Sequence, residues 1–158
     1  MRRTLVMFMA VLLALTVAAP TLAANAHFIK TSASGPNAAG DLKVNFKLAG
    51  LGANETITIE ASADATAVSA CRNNGGGFPN DPKKTSSSGR VTASGDFTSG
   101  KNGSISSSLT LSPPATSLTC PPGQKVVLVS VSYTNVQVSG GGDTENISGT
   151  FAKTYFTI

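Results

Sequence analysis

The stretch formed by residues 120–139 constrains the fold more than any other part of the sequence. It begins with one of the two cysteines in the chain and continues as a long run of β-favouring residues. Four residues at odd positions share one face of a strand that crosses the middle of a sheet: Val127, Val129, Val131 and Tyr133. Two later valines fall at even positions, Val136 and Val138, so the alternation slips and predicts a β-bulge near 134–135.

The N-terminal residues 1–26 have the layout of a secretory signal peptide. Two arginines, Arg2 and Arg3, precede a continuous apolar run at 5–19, and Pro20 ends that run before a series of small residues. Because the apolar run is too short for a comfortable transmembrane span, the pattern favours a cleaved leader over a membrane anchor.

Three cleavage points fit the small residues that follow Pro20. A cut after Ala26 satisfies the Ala-x-Ala rule, makes His27 the new N-terminus and leaves 27–158 as a single domain. Cuts after Ala24 or Ala23 place His27 third or fourth in the mature chain. We expect the cut after Ala26.

The mature chain carries only a small net charge. Loss of Arg2 and Arg3 lowers the formal charge from +4 to +2 (4 − 2), and the remaining charges are scattered along the sequence. This pattern predicts no nucleic-acid partner. No later apolar run approaches membrane-spanning length, so we expect no membrane span in the mature chain and a secreted, extracellular or cell-envelope location.

The two cysteines predict one disulfide, because an exported chain matures in an oxidising compartment. A Cys71–Cys120 bridge closes a loop of 120 − 71 = 49 positions. In the chain-entropy description such a loop stabilises the fold by about 4 kcal/mol.

Short segments rich in Ser, Thr, Val and Ala, bounded by Gly, Asn or Pro, predict an all-β fold without a helix. The clearest strand is 41–49, in which one set of alternate residues is apolar: Leu42, Val44, Phe46 and Leu48. In all, seven or eight strands are predicted. They favour an antiparallel two-sheet sandwich of immunoglobulin-like type, with a jelly roll or small barrel as the alternative.

Two long segments of the chain, 27–71 and 110–136, resemble a family of small secreted bacterial β-sandwich proteins of uncharacterised function. The resemblance covers most of the mature chain. It implies a secreted β-domain, and because that family has no assigned activity it implies no catalytic residue.

Catalytic groups are sparse. His27 is the only histidine, no Gly-x-Ser-x-Gly segment is present, and the eight carboxylates are dispersed along the chain. We therefore expect no enzymatic activity. A secreted carbohydrate-active enzyme is an alternative, because such an enzyme needs only two carboxyl groups that face each other in the folded chain.

His27 is the one candidate metal ligand. With the cut after Ala26, its α-amine and imidazole can chelate Cu²⁺ together. With the cut after Ala24, Asn25, Ala26 and His27 form an amino-terminal square-planar site for copper or nickel. An extracellular copper-binding protein is thus a further alternative, against the simpler interpretation that His27 merely begins an edge strand.

The segment 72–89 is the candidate binding loop. Its composition cannot pack a core, and it is longer than an ordinary connection. It and the residue just beyond it offer one aromatic and four cations: Arg72, Phe78, Lys83, Lys84 and Arg90. The sequence therefore predicts a secreted, disulfide-stabilised, non-catalytic binding or surface protein, with a cell-surface glycan or protein as its partner.

Overall fold

The computed structural model describes residues 25–158. Residues 1–24, which hold most of the predicted signal peptide, lie outside the described residues. The described chain forms eight strands and no helix, in agreement with the all-β prediction. The strands are β1 (His27–Ser34), β2 (Leu42–Ala49), β3 (Thr56–Asn73), β4 (Lys84–Thr98), β5 (Ile105–Leu111), β6 (Gln124–Gly140), β7 (Asp143–Ile147) and β8 (Phe151–Thr154).

The strands form two antiparallel sheets that pack against each other, which confirms the predicted sandwich. One sheet has three strands in the order β1-β2-β5. The other has five, in the order β4-β3-β6-β7, with β8 beside β6 next to β7. Over the part of the chain that the structure describes, no helix is long and apolar enough to cross a membrane.

The inner face of the three-stranded sheet follows from sequence alternation. The four apolar residues predicted for β2 are all buried: Leu42, Val44, Phe46 and Leu48. Their neighbours across the β2–β5 pair include Ile105, Leu109 and Leu111, which are buried as well. Alternate residues of β2 therefore face the core, and the intervening ones point outward.

Tyr133 ties the two sheets together at the centre of the sandwich. It is fully buried on β6, and its hydroxyl donates to the carbonyls of Gly40 (2.8 Å) and Leu111 (3.3 Å). Burial raises the pKa of Tyr133, and the nearby Asp41 and Tyr155 raise it further. The buried hydroxyl thus joins β6 to the end of β5 and to the turn before β2.

The predicted bulge lies where the alternation slips. Ser62 pairs with Gln137 and Asp64 with Thr134, so β6 contains one residue more than β3 over this interval. Asn135 has a positive φ of 49° at this point. Val136 and Val138 are both buried beyond it, so the bulge prediction is confirmed.

The prediction for the start of β6 needs correction. A second register shift lies opposite Val68 and Ser69, and it breaks the alternation before Val129. Val129 and Val131 are buried as expected, whereas Val127 is only half-buried. The sequence pattern contains no mark of this second shift.

The prediction of a loop over 72–89 also needs correction. β3 continues to Asn73, and β4 begins at Lys84, so the connection is shorter than predicted. The first part of β4 is rich in Ser and carries no apolar alternation. Its backbone is instead held by unbroken pairing with β3, from Lys84 opposite Ala70 onward.

Candidate functional site

The predicted disulfide is present at one end of the sandwich. Cys71, fully buried near the end of β3, is bonded to Cys120 in the connection between β5 and β6, and their Cα atoms are 5.5 Å apart. Neither cysteine in the described chain is free. A disulfide in a small all-β fold fits a stabilised extracellular protein.

Arg72 and Phe78 from the predicted binding loop are used within the fold. The Arg72 guanidinium lies over the ring of Phe156 (4.6 Å to the centroid) and also near that of Phe78 (5.6 Å). The two rings pack edge to face, and Arg72 Nε donates to the carbonyl of Gly76 at 2.6 Å. This cluster holds the loop against the C-terminal segment.

Lys83 and Lys84 lie on either side of the start of β4. The Nζ of Lys83 donates to the carbonyl of Thr119 at 3.0 Å, beside the disulfide, and the Lys83 carbonyl accepts from the amide of Cys71. Lys84 is exposed. Lys83 thus helps to close the base of the loop.

Arg90 belongs to a different part of the surface. It is six residues beyond Lys84 on β4, which corresponds to roughly 20 Å along a strand. On the outer face of the five-stranded sheet it forms a salt bridge with Asp64 at 3.0 Å. A hydrogen bond from Asn135, and then the Arg90 guanidinium, lower the pKa of Asp64. The five predicted loop residues therefore do not form one binding surface.

His27 is exposed at the start of β1, and its Nδ1 lies 2.8 Å from the carbonyl oxygen of Asn25. Within residues 25–158, His, Cys, Asp and Glu side chains form no group of three or more that would hold a metal ion. Copper binding at a mature N-terminus stays a prediction, because the end of the mature chain lies at the border of the described residues.

A cluster that the sequence did not predict lies on the outer face of the three-stranded sheet. Lys43 and Lys47 point outward from β2, and Lys30 on β1 lies directly opposite Lys47. All three lysines are exposed. The other paired outward positions on this sheet are occupied by hydroxyl, amide, imidazole or methyl groups: His27, Ser32, Ser34, Asn45, Ala49, Ser106, Ser108 and Thr110. Ile29, the bulge residue before Lys30, is exposed as well. We call this surface the lysine face.

None of the three lysines on the lysine face forms a salt bridge within residues 25–158, and the carboxylate of Asp41, just before β2, accepts a hydrogen bond from Asn37 instead. No outward residue of β1, β2 or β5 is acidic, and the salt bridge found among the described residues, Arg90–Asp64, lies on the other sheet. Lys30, Lys47 and neighbouring serines line a shallow concavity of about 540 Å³. Lys30 and Lys47 thus lie beside hydroxyl donors, and Lys43 lies farther along β2 on the same face.

Sequence alternation alone placed Lys43 and Lys47 on the wet side of a strand. Lys30 could not be added, because β1 carries a bulge between Phe28 and Lys30 that shifts its register against β2. His27 points outward, so strict alternation without a bulge would place the odd-numbered residues of β1 on the outer face. Lys30 would then point inward. The pairing itself was needed to bring the third lysine onto the face.

The chain was compared with protein-family models, with curated proteins and with solved structures, and no match was found in any of the three. The resemblance to small secreted bacterial β-sandwich proteins therefore stays a prediction. Function has to be argued from the surfaces of this chain alone.

Proposed function

We propose that this protein is an exported, non-catalytic binding domain that holds an anionic polymer on its lysine face. The observation that supports this most directly is the set of three exposed lysines, Lys30, Lys43 and Lys47, on a sheet whose strands contain no acidic residue. The ligand class is a linear polyanion that carries phosphate or sulfate groups.

A bound anion would relieve the electrostatic repulsion between Lys30 and Lys47. Like charges directly opposite each other on neighbouring strands destabilise a sheet, by up to about 1 kcal/mol. Serine or threonine at either position would avoid that cost, and both residue types are abundant on the same strands. An anion bound between the two ammonium groups would turn the repulsion into two attractions.

The spacing of the lysines favours an extended ligand over a single small anion. Lys43 and Lys47 are four residues apart on β2, roughly 13 Å along the strand. A polymer that follows β2 can contact both, and serine hydroxyls beside the lysines can donate to its anionic oxygens. A compact anion can contact only one of these two lysines, because they are roughly 13 Å apart.

Export is supported by the signal-peptide pattern of residues 1–26 together with the disulfide. An immunoglobulin-like type of sandwich is supported by the strand order: β1, β2 and β5 share one sheet, while β3, β6 and β7 share the other. A binding role on such a scaffold needs only an exposed face with suitable chemistry.

The test is a binding titration of the mature protein with inorganic polyphosphate and with heparin. The test variant replaces Lys30, Lys43 and Lys47 by serine. The matched control replaces Lys84, Lys125 and Lys153 by serine; these are also exposed and remove the same charge, but none lies on the lysine face. We expect the test variant to lose at least about tenfold in affinity and the control less than about threefold.

Equal losses in both triple variants would contradict the proposal, because they would mean that only net charge matters. Stronger binding to duplex DNA than to either polyanion would contradict the ligand class. Heparin and polyphosphate, compared with each other, distinguish sulfate from phosphate as the preferred group.

A further inference from the structure

The five-stranded sheet has a groove at the bulge of β6. β7 ends at Ile147, opposite Val136, and β8 begins at Phe151, opposite Tyr133. Between these two pairings the bulge residue Asn135 faces the connection 148–150. The resulting depression has a volume of about 580 Å³, and its walls include three side-chain amides: Asn135, Gln137 and Asn146. We call it the amide groove.

Asp64 fixes the orientation of the first amide. An aspartate carboxylate is ionised at neutral pH, and hydrogen bonds from Asn135 and Arg90 lower the pKa of Asp64 further. An ionised carboxylate only accepts hydrogen bonds, so the group of Asn135 that lies 2.7 Å from Asp64 Oδ2 has to be the NH₂ donor. The Oδ1 acceptor of Asn135 is then left for another partner.

Arg90 fixes the orientation of the other two amides, those of Gln137 and Asn146. A guanidinium only donates, so the Gln137 atom 2.6 Å from Arg90 Nη2 has to be the carbonyl oxygen. Gln137 Nε2 must then donate to Asn146 Oδ1, at 2.7 Å. This bond leaves the Asn146 NH₂ group as an outward donor.

Asn135 and Arg90 both donate to Asp64, Arg90 also donates to Gln137, and Gln137 donates to Asn146. The two charged residues therefore fix the donor and the acceptor at every step of this chain of hydrogen bonds. It ends in an acceptor on Asn135 and a donor on Asn146, both exposed, and residues 25–158 supply no hydrogen-bond partner to either of these atoms. The positive φ of Asn135 turns its side chain onto this surface at a cost that asparagine tolerates better than most residues.

We propose that the amide groove binds a neutral carbohydrate through two of its hydroxyl groups. One hydroxyl donates to Asn135 Oδ1 and another accepts from the Asn146 NH₂, and a sugar hydroxyl can serve in either role. The charges of Arg90 and Asp64 cancel, so the groove has no charge preference of its own. Because the amides are already oriented, binding does not have to order them.

This site is independent of the lysine face, which lies on the other sheet. Its ligand is uncharged, whereas the lysine face requires an anion. Failure of one proposal therefore leaves the other intact.

The test is nuclear magnetic resonance on ¹⁵N-labelled, unglycosylated protein titrated with malto-, cello- and chito-oligosaccharides. We expect at least one of them to shift the side-chain amide signals of Asn135, Gln137 and Asn146 and to leave those of Asn45 on the lysine face unchanged. A shift that spreads evenly over both faces would overturn the proposal, as would no shift with any of the three sugars.

The decisive variant is Asn146→Asp. It keeps the oxygen that accepts from Gln137 and replaces the outward NH₂ donor by a charged oxygen acceptor, so the hydrogen-bond chain should persist while sugar affinity falls at least about tenfold. Asn102→Asp is the matched control, because Asn102 Oδ1 likewise accepts from a neighbour, Ser104, on a distant turn. Unchanged affinity in folded Asn146→Asp overturns the proposal, as does binding of an extended peptide, but no sugar, in the groove.

Discussion

Lys30 and Lys47 lie directly opposite each other across the β1–β2 pair, and both are exposed. Neither ammonium group has an acidic partner among the described residues. Such a pair lowers the stability of the free protein and raises its attraction for anions, since both effects come from the same uncompensated charge. Replacing either lysine should therefore raise the free energy of unfolding of the free protein and lower its affinity for anions.

A double-mutant cycle over Lys30→Thr and Lys47→Thr measures that repulsion. We expect the coupling in the free energy of unfolding to be unfavourable by about 0.2–1 kcal/mol at low salt and to shrink as salt screens the charges. Urea denaturation at two salt concentrations provides the values. The corresponding cycle over Lys30 and Lys43, which are not opposite each other, should give almost no coupling; a favourable Lys30–Lys47 coupling would refute the interpretation.

Much of the fold could be predicted from the sequence because burial on one side of a strand leaves a period of two. The alternation of Leu42, Val44 and Phe46 identified β2 and its inner face, and the slip before Val136 identified the bulge on β6. The start of β4 could not be predicted in this way. Its serines carry no apolar pattern, and only pairing with β3 makes that segment a strand.

The candidate sites depended on information that the sequence does not contain. The lysine face requires the register of β1 against β2, which the bulge before Lys30 changes. The amide groove is lined by β6, β7 and the connection after β7, and its amides are oriented by Asp64 on β3 and Arg90 on β4, which are far away in the chain. In contrast, the predicted loop cations were visible as a composition bias, but Arg72 lies over the ring of Phe156 and near that of Phe78, where it holds the loop.

Loss of the Cys71–Cys120 disulfide should strongly destabilise the protein. The bridge spans 49 positions, for which the chain-entropy description gives about 4 kcal/mol. The double Cys71→Ser, Cys120→Ser variant should therefore unfold at a much lower urea concentration than the oxidised protein. Reduced wild type should behave like that variant. An unchanged unfolding midpoint would show that the connection before β6 is already held by its other contacts.

Tyr133→Phe tests the buried hydroxyl at the centre of the sandwich. Loss of its bonds to Gly40 and Leu111 should cost about 1–2 kcal/mol in the free energy of unfolding near neutral pH. Burial raises the pKa of Tyr133 in the folded state above its unfolded value near 10. Its contribution is thus fully present below about pH 10 and is lost as pH rises above that value.

Unfolding measured on both sides of pH 10 checks this dependence. The stability difference between wild type and Tyr133→Phe should be constant below that pH and should narrow above it. A difference that stays constant, or widens, at high pH would contradict the role assigned to the hydroxyl.

Arg72→Gln should loosen the loop at the disulfide end without unfolding the sandwich. The substitution removes the guanidinium from the rings of Phe78 and Phe156, a contact worth about 0.5–1 kcal/mol at an accessible site. We expect faster hydrogen exchange in the loop between β3 and β4, with β2 unaffected. Lys84→Gln nearby is the control and should leave hydrogen exchange unchanged both in the loop and in β2. Equal exchange rates in the loop of the two variants would contradict the role of Arg72.

The packing of Ala26 bears on the mature N-terminus. Its side chain is half-buried against the hydrophobic core, so a cut after Ala26 would remove a contact of the fold. This contact favours cleavage after Ala24 or Ala23, which retains Asn25 and Ala26, over the cut after Ala26 that the sequence pattern predicts. The intact mass of the secreted protein decides this, and a mass that begins at His27 would contradict it. Copper titration of the same sample against His27→Ala tests the predicted metal site.

The salt dependence of polyphosphate binding tests the central claim most directly. Each lysine that contacts the polymer should contribute roughly 0.7–0.9 to the slope of log affinity against log salt concentration. Replacement of Lys30, Lys43 and Lys47 by serine should therefore reduce the magnitude of the slope by about 2.1–2.7, whereas the matched change of Lys84, Lys125 and Lys153 should leave it nearly unchanged. Equal slopes in the two triple variants would show that the lysine face is not the binding surface.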